Sequence, residues 1–265
     1  MRFLKIIPVL IVALVITTLG IDAADTLSGK GGTMLGQLMW SQNNICPSGM
    51  VEVAVALTFS CVDEYEASPD DGCAVLVPKN PVDTEVNINK NNCQSISNQN
   101  REPWRYINRE QAAVMCARSG KRLPSAAEWY QFALGTNAEN CNTSEGEVSA
   151  GNKFVDCVSA VRVKNTVGNV WEWVSDDVIG GKYNQRDLPV TGYVLQVDSG
   201  GVATVTALEK DSEISGEYFW SNQTGAFAII RGGYYGSKTD AGVFTVHAQT
   251  LPTFTGNAVG FRCVR

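Results

Sequence analysis

The chain of 265 residues carries a net charge of −6, with 44% hydrophobic and 18% charged residues. That is the composition of an ordinary globular domain. The acidic balance excludes a nucleic-acid partner, which needs a basic face to replace counterions.

Taken in chain order, the first element is a targeting segment. Arg2 and Lys5 precede an apolar run from Ile6 to Leu19, followed by the small residues Gly20, Ala23 and Ala24. This is the layout of a secretory signal peptide over residues 1–24, with an uncleaved membrane anchor as the alternative. Residues 25–45 are rich in Gly, Ser and Asn and read as a linker. Val51, Val53, Val55, Leu57 and Phe59 alternate with smaller or polar residues, predicting a half-buried strand. Residues 70–100, rich in Asp, Asn and Pro, read as a long loop. Asn108 with Gln111 predicts a capping box opening a helix that carries Ala112, Ala113 and Cys116. Ser125 with Glu128 predicts a second, with Trp129, Phe132 and Ala133 inward. After Gly135 only short strands are expected, near Val170, Val194, Val205, Phe227 and Phe261. Two helices within a β-rich, loop-rich chain predict an α+β domain over residues 46–265.

All eight cysteines lie beyond the targeting segment, and none forms a CxxC pair. In an exported protein this predicts a disulfide framework. The single histidine, His247, argues against a Ser-His-Asp triad and against His-rich metal sites. Export to the extracellular space or cell surface is the expected localisation.

Four segments, in order, resemble the formylglycine-generating-enzyme (sulfatase-modifying factor) family. They are Phe59 to Glu66, Gly120-Lys121-Arg122-Leu123-Pro124 to Trp129, Val167-Gly168-Asn169-Val170-Trp171-Glu172-Trp173, and Arg231-Gly232-Gly233 through Gly260-Phe261-Arg262-Cys263. The resemblance implies that family's variant of the C-type lectin fold, with short twisted sheets and long loops. It also implies a Cys116–Cys263 disulfide. Neighbouring cysteines then suggest Cys73–Cys93, Cys141–Cys157 and Cys46–Cys61, although spacing alone leaves other connectivities open. A structural calcium site is implied at Asn165, Gly168, Val170 and Glu172, which match the family's N-x-x-G-x-A-x-E pattern with Val for Ala. Hard oxygen donors suit that ion. Apart from these roles, Trp171 and Trp173 read as core and ledge aromatics, Arg122 and Arg262 as ion-pair donors.

Catalytic members of the family hold copper with two cysteines near the C-terminus. Here the stretch Tyr234 to Ala258 has none, so no copper is expected and the chain reads as non-catalytic. The same stretch resembles the variable region of diversity-generating retroelement target proteins, in which an Ala241-Gly242-Val243-Phe244 core and a terminal Gly260-Phe261-Arg262 frame rewritten positions. Tyr234, Gly236, Ser237, Asp240, His247, Thr250, Phe254, Gly256 and Ala258 lie within reach of an Asn codon changed at its adenines. Asn257 matches such a codon directly, Tyr235 belongs with the group, and Gln249 needs an AAA codon instead. These residues, within a variable region of about 231–263, are the expected ligand contacts, with Val243, Phe244, Val246 and Phe261 as core. The partner is a protein or glycan. A fixed-specificity lectin-like adhesin and an oxidase remain the alternative readings.

Overall fold

In the computed structural model the described residues are 46–265, apart from Val55, Leu57 and 211–215. The expected signal or anchor segment and linker lie outside them. Among the described residues no helix is long and apolar enough to cross a membrane.

The described residues form three α-helices and thirteen strands, more β than α. Of the predicted strand from Val51 to Phe59, in which Val55 and Leu57 lie outside the described residues, the described residues form strand only in β1 (Met50–Glu52), paired antiparallel with β2 (Cys61–Asp63). Val53 and Phe59 point into the core instead of extending it. Two predicted helices are present, α2 (Arg109–Arg118) and α3 (Ala126–Ala133). Both open on complete capping boxes: Gln111 N–H donates to Asn108 Oδ1 at 2.9 Å and Glu128 N–H to Ser125 Oγ at 3.2 Å, each side chain returning to the cap N–H. In α2 the buried residues are Ala112, Met115 and Cys116, and Ala113 faces solvent.

The expected loop between 70 and 100 contains a third helix, α1 (Pro81–Ile88), between strands β3 (Ala67–Pro69) and β4 (Ser95–Ser97). Asn80 caps it and Pro81 stands in its first turn, where a missing N–H costs nothing. Its buried side chains are polar. Thr84 accepts from Trp104 Nε1 at 3.1 Å, and Asn87 receives the N–H groups of Ala74 and Val75 at 3.0 and 2.8 Å. A helix docked through hydrogen bonds leaves no hydrophobic period to read.

The remaining strands are β5 (Trp171–Ile179), β6 (Lys182–Tyr183), β7 (Arg186–Asp187), β8 (Gly192–Val197), β9 (Ala203–Ala207), β10 (Tyr218–Ser221), β11 (Ala226–Arg231), β12 (Val246–Thr250) and β13 (Val259–Phe261). They make one mixed sheet in the order β7-β6-β5-β11-β12-β10-β8-β9, with β13 on β5. The β10–β12 and β13–β5 pairings are parallel. One face of this sheet packs Phe219, Ile229 and Val246 against Trp129 and Phe132 of α3. The other packs Trp173, Ile230 and Phe261 against Met115 and Cys116 of α2. The structure joins Cys46–Cys61, Cys73–Cys93, Cys116–Cys263 and Cys141–Cys157, which accounts for all eight cysteines.

Candidate ligand-binding site

The chain leaves β11 through Arg231, whose guanidinium is fully buried and donates to the carbonyls of Ala126 at 2.7 Å, Gly201 at 2.8 Å and Val243 at 3.0 Å. Burial pulls its pKa down to about 10, so it stays charged at neutral pH. Gly232 then turns the chain at φ +91°. A Cβ there would lie 2.5 Å from the Thr166 carbonyl oxygen, so only glycine fits. Past this turn the chain reaches the surface, passes the short 3₁₀ turn Lys238–Asp240, and returns as β12 and β13.

Between β12 and β13 lies a cavity of about 520 Å3. It gathers eight of the twelve expected contact residues. Tyr234, His247, Gln249 and Thr250 line it from the strand side, and Phe254, Gly256, Asn257 and Ala258 from the returning loop. Phe254 is 47% exposed at the rim. Trp171, Ile230, Leu251 and Val259 complete the lining.

The other four are placed elsewhere. Tyr235 meets Tyr234 edge-on at 5.1 Å and faces a separate hollow beside Lys79, Glu102 and Arg105. Gly236 and Ser237 form the turn below, where Ser237 Oγ accepts from Tyr234 N–H at 3.0 Å. Asp240 sits in the 3₁₀ turn, half-buried, with its carboxyl pKa raised by burial. Of the expected core, Val243, Val246 and Phe261 are buried, whereas Phe244 is half-buried against the Tyr130 ring at 5.8 Å.

His247 is the one titratable group of the cavity near neutrality. Its Nδ1 meets Thr250 Oγ1 at 2.7 Å, and burial lowers its pKa to about 4. With no Asp, Glu, Lys or Arg in the lining, the cavity is uncharged at pH 7. A folded-state pKa below the ordinary 6.5 means stability is complete above pH 6.5 and declines as pH falls toward 4. Between pH 7 and 4.5 this residue should cost the fold about 2 kcal/mol. His247→Gln should remove that part of the acid sensitivity, read as the difference in denaturant midpoint between the two pH values. An unchanged difference would show that His247 protonates freely.

Of the four residues expected to bind calcium, Asn165, Gly168, Val170 and Glu172, two already have side-chain partners within the chain. Asn165 and Glu172 are buried, and Asn165 Nδ2 donates to the Gly151 carbonyl at 3.1 Å and Glu66 Oε2 at 3.3 Å. Both oxygens of Glu172 accept from Arg262 Nε, at 2.9 and 2.8 Å, and Trp129 Nε1 donates to Oε2 at 2.7 Å. The carbonyls of Asp63, Lys164 and Asn165 also receive the Arg262 guanidinium. The cation that Glu172 serves is therefore an arginine of the chain itself, and its carboxylate is not free for a calcium ion. Arg122 is likewise an ion-pair donor, with Nη1 and Nη2 each 2.7 Å from Glu128. Burial raises the Glu128 pKa, but donation from Arg122, Thr58 and Ser125 outweighs it and holds the carboxyl at about 2.

Sequence reading missed the aromatic surroundings of the cavity. Trp171 packs edge-on against Trp220 at 5.8 Å and His247 at 6.0 Å, and Trp220 continues to Tyr218 at 4.6 Å. The signal available was period two: Tyr218 and Trp220 flank the buried Phe219. Their pairing with β12 could not be read from the chain.

The sequence profile described as the sulfatase-modifying factor enzyme 1-like domain matches residues 59–265. No curated protein matches the chain. Among solved structures, it is similar to the Major Tropism Determinant P3c variant at 20% identity and TM-score 0.44, and to the I1 variant at 19% and 0.45. Each alignment covers 83% of this chain and 53% of that one, so the chain spans about half the length of those proteins.

Proposed function

The chain belongs to the sulfatase-modifying factor enzyme 1-like family, and from that premise we propose a member that binds a ligand instead of catalysing a reaction. In this reading it is exported, carries a signal or anchor over residues 1–24 and a linker over 25–45, and displays the domain 46–265 outside the cell. Its segment of about residues 231–263 is diversified by a retroelement. The absence of catalysis is supported by the cysteines: all eight are in disulfides, so no thiolate pair is left to hold Cu(I).

One observation carries the binding reading. The variable segment is tied to the scaffold through its main chain, not through the side chains that form its surface. Tyr106 N–H donates to the Gly256 carbonyl at 2.9 Å, Trp171 N–H to Ala258 at 2.8 Å and Arg109 N–H to Pro252 at 3.2 Å, while Tyr235 N–H reaches Asn169 at 3.1 Å. Arg105 Nη1 also takes a carbonyl, that of Asn257, at 3.3 Å. Among the described residues the side chains of Tyr234, Tyr235, Gln249 and Asn257 make no hydrogen bond. Changing them alters the surface without removing a bond that holds the loop. Rigid aromatic contacts on a fixed backbone bind at low entropic cost.

Two tests apply. Sequencing the DNA around the gene should find a reverse transcriptase and a second copy of the 3′ end that differs where that copy has adenine. Finding neither would remove diversification and leave a fixed-specificity binder. Separately, Tyr234→Ala with Phe254→Ala should reduce retention on the cells the parent protein coats by tenfold or more, measured by flow cytometry. The fold should lose less than about 1 kcal/mol. Full retention would remove the cavity as the binding site.

A further inference from the structure

Against the cavity-lining rings of Trp171 and His247 packs Trp220, the first of a row of aromatic rings that lies outside the proposed variable segment, apart from His247. The sheet register produces the row. On the face that α2 covers at β5 and β11, Trp220 of β10 stands opposite His247 of β12, and Tyr218 opposite Tyr193 of β8. From the cavity wall outward, the rings follow one another at 5.4 Å (His247 to Trp220), 4.6 Å (Trp220 to Tyr218) and 4.9 Å (Tyr218 to Tyr193). Trp220, Tyr218 and Tyr193 are all half-buried, and their neighbours Phe219 and Val194 are buried on the opposite face.

We propose that this row and the cavity together form one site for a neutral oligosaccharide, with one sugar ring in the cavity and the next units lying along Trp220, Tyr218 and Tyr193. The inference rests on the ligand-binding reading above. Three observations select this occupant. The cavity volume of about 520 Å3 is that of a small-ligand site, whereas a protein partner needs a broad contact surface. The lining carries no charge, and His247 is neutral, so neither an anionic nor a cationic ligand is complemented. Among the lining side chains, the polar groups without a hydrogen bond include the amides of Gln249 and Asn257, the hydroxyl of Tyr234 and the indole N–H of Trp171. An amide offers a donor and an acceptor side by side, which matches two adjacent sugar hydroxyls. The C–H face of a sugar ring carries weak positive charge and rests on the negative face of an aromatic ring. The rings of the row are tilted to one another by 30°, 55° and 88°, so successive units of a chain would meet faces and edges in turn.

The test uses the full chain on a panel of immobilised neutral oligosaccharides of increasing length, beside the same set bearing uronate or sulfate. Retention of neutral probes is expected, with affinity rising with length and little affected by salt. Tyr218→Ala should lower affinity for the longer probes by tenfold or more. Tyr193→Ala, at the far end of the row, should remove only the gain of the longest probes while leaving the shorter ones unaffected, a change that general loosening of the fold would not produce. No retention of any neutral probe, or retention of the charged set alone, would overturn the inference. Retention lost in Tyr234→Ala with Phe254→Ala but unaltered in both row variants would overturn the row and leave the cavity reading standing. Cell binding that survives enzymatic removal of surface glycans would mark a protein ligand and overturn the saccharide class alone.

Discussion

Replacing Glu172 with glutamine should lower the unfolding free energy by about 3–5 kcal/mol, the usual cost of breaking a buried ion pair from one side. Both Glu172 and Arg262 are fully buried. The carboxylate takes two donors of the guanidinium, Nε and Nη2, the latter at 2.7 Å. Glutamine removes the charge and one acceptor, leaving Arg262 bonded to carbonyls, with the Glu66 and Asp63 carboxyls as the remaining charges that act on it. Arg262→Met should cost a similar amount by stranding the carboxylate. The double variant Glu172→Gln with Arg262→Met should lose clearly less than the two single losses added, because neither partner of this pair is left charged without the other. Thermal melts should register the single losses as drops on the order of 10 °C. Simple additivity would show that the pair is not the unit described. Adding calcium should leave the melting temperature of the parent unchanged, and should not rescue Arg262→Met. Rescue would mean that these oxygens hold a metal once the guanidinium is gone.

The features readable from the sequence were those encoded by neighbours along the chain. Asn108 with Gln111 and Ser125 with Glu128 specify their helix starts within four residues, so both boxes are complete in the structure. The helix Pro81–Ile88 was not readable because its buried positions are Thr84 and Asn87, whose docking depends on Trp104 and on the turn at Ala74. The site divides in the same way. The segment of about residues 231–263 is marked in the sequence by its framing residues, and the cavity does gather Tyr234, His247 and Phe254. Asp240 is held away from it because the 3₁₀ turn at Lys238–Asp240 carries it in another direction. The aromatic row could not be found from the chain, since His247 meets Trp220 only through a parallel pairing of strands about 25 residues apart in sequence. Glu172 matched a metal-ligand spacing, yet its partner is Arg262, 90 residues on, and no local pattern reveals that.

Replacing Cys116 and Cys263 with alanine should cost about 2–5 kcal/mol and should also weaken ligand binding, whereas Cys73→Ala with Cys93→Ala should cost about 3 kcal/mol and leave binding intact. The first bridge spans 147 residues and the second 20, but closure entropy grows slowly with loop length, so stability alone separates them poorly. Position separates them. Cys116 lies in α2, and the other end of that helix donates the Arg109 N–H to Pro252 in the cavity loop. Cys263 follows β13, whose first residue Val259 lines the cavity. The disulfide thus fixes α2 and β13 on either side of the loop that carries Phe254 and Asn257. Without it the C-terminus is still held by Val264, which exchanges main-chain bonds with Arg122 at 2.8 and 2.9 Å, so the protein should fold. The loop between the two anchors then has more conformations to lose on binding, and affinity falls by that ordering cost. Cys73 and Cys93 flank α1, and neither lines the cavity. Equal loss of affinity in the two double variants would show that binding follows global stability, not the clamp on this loop.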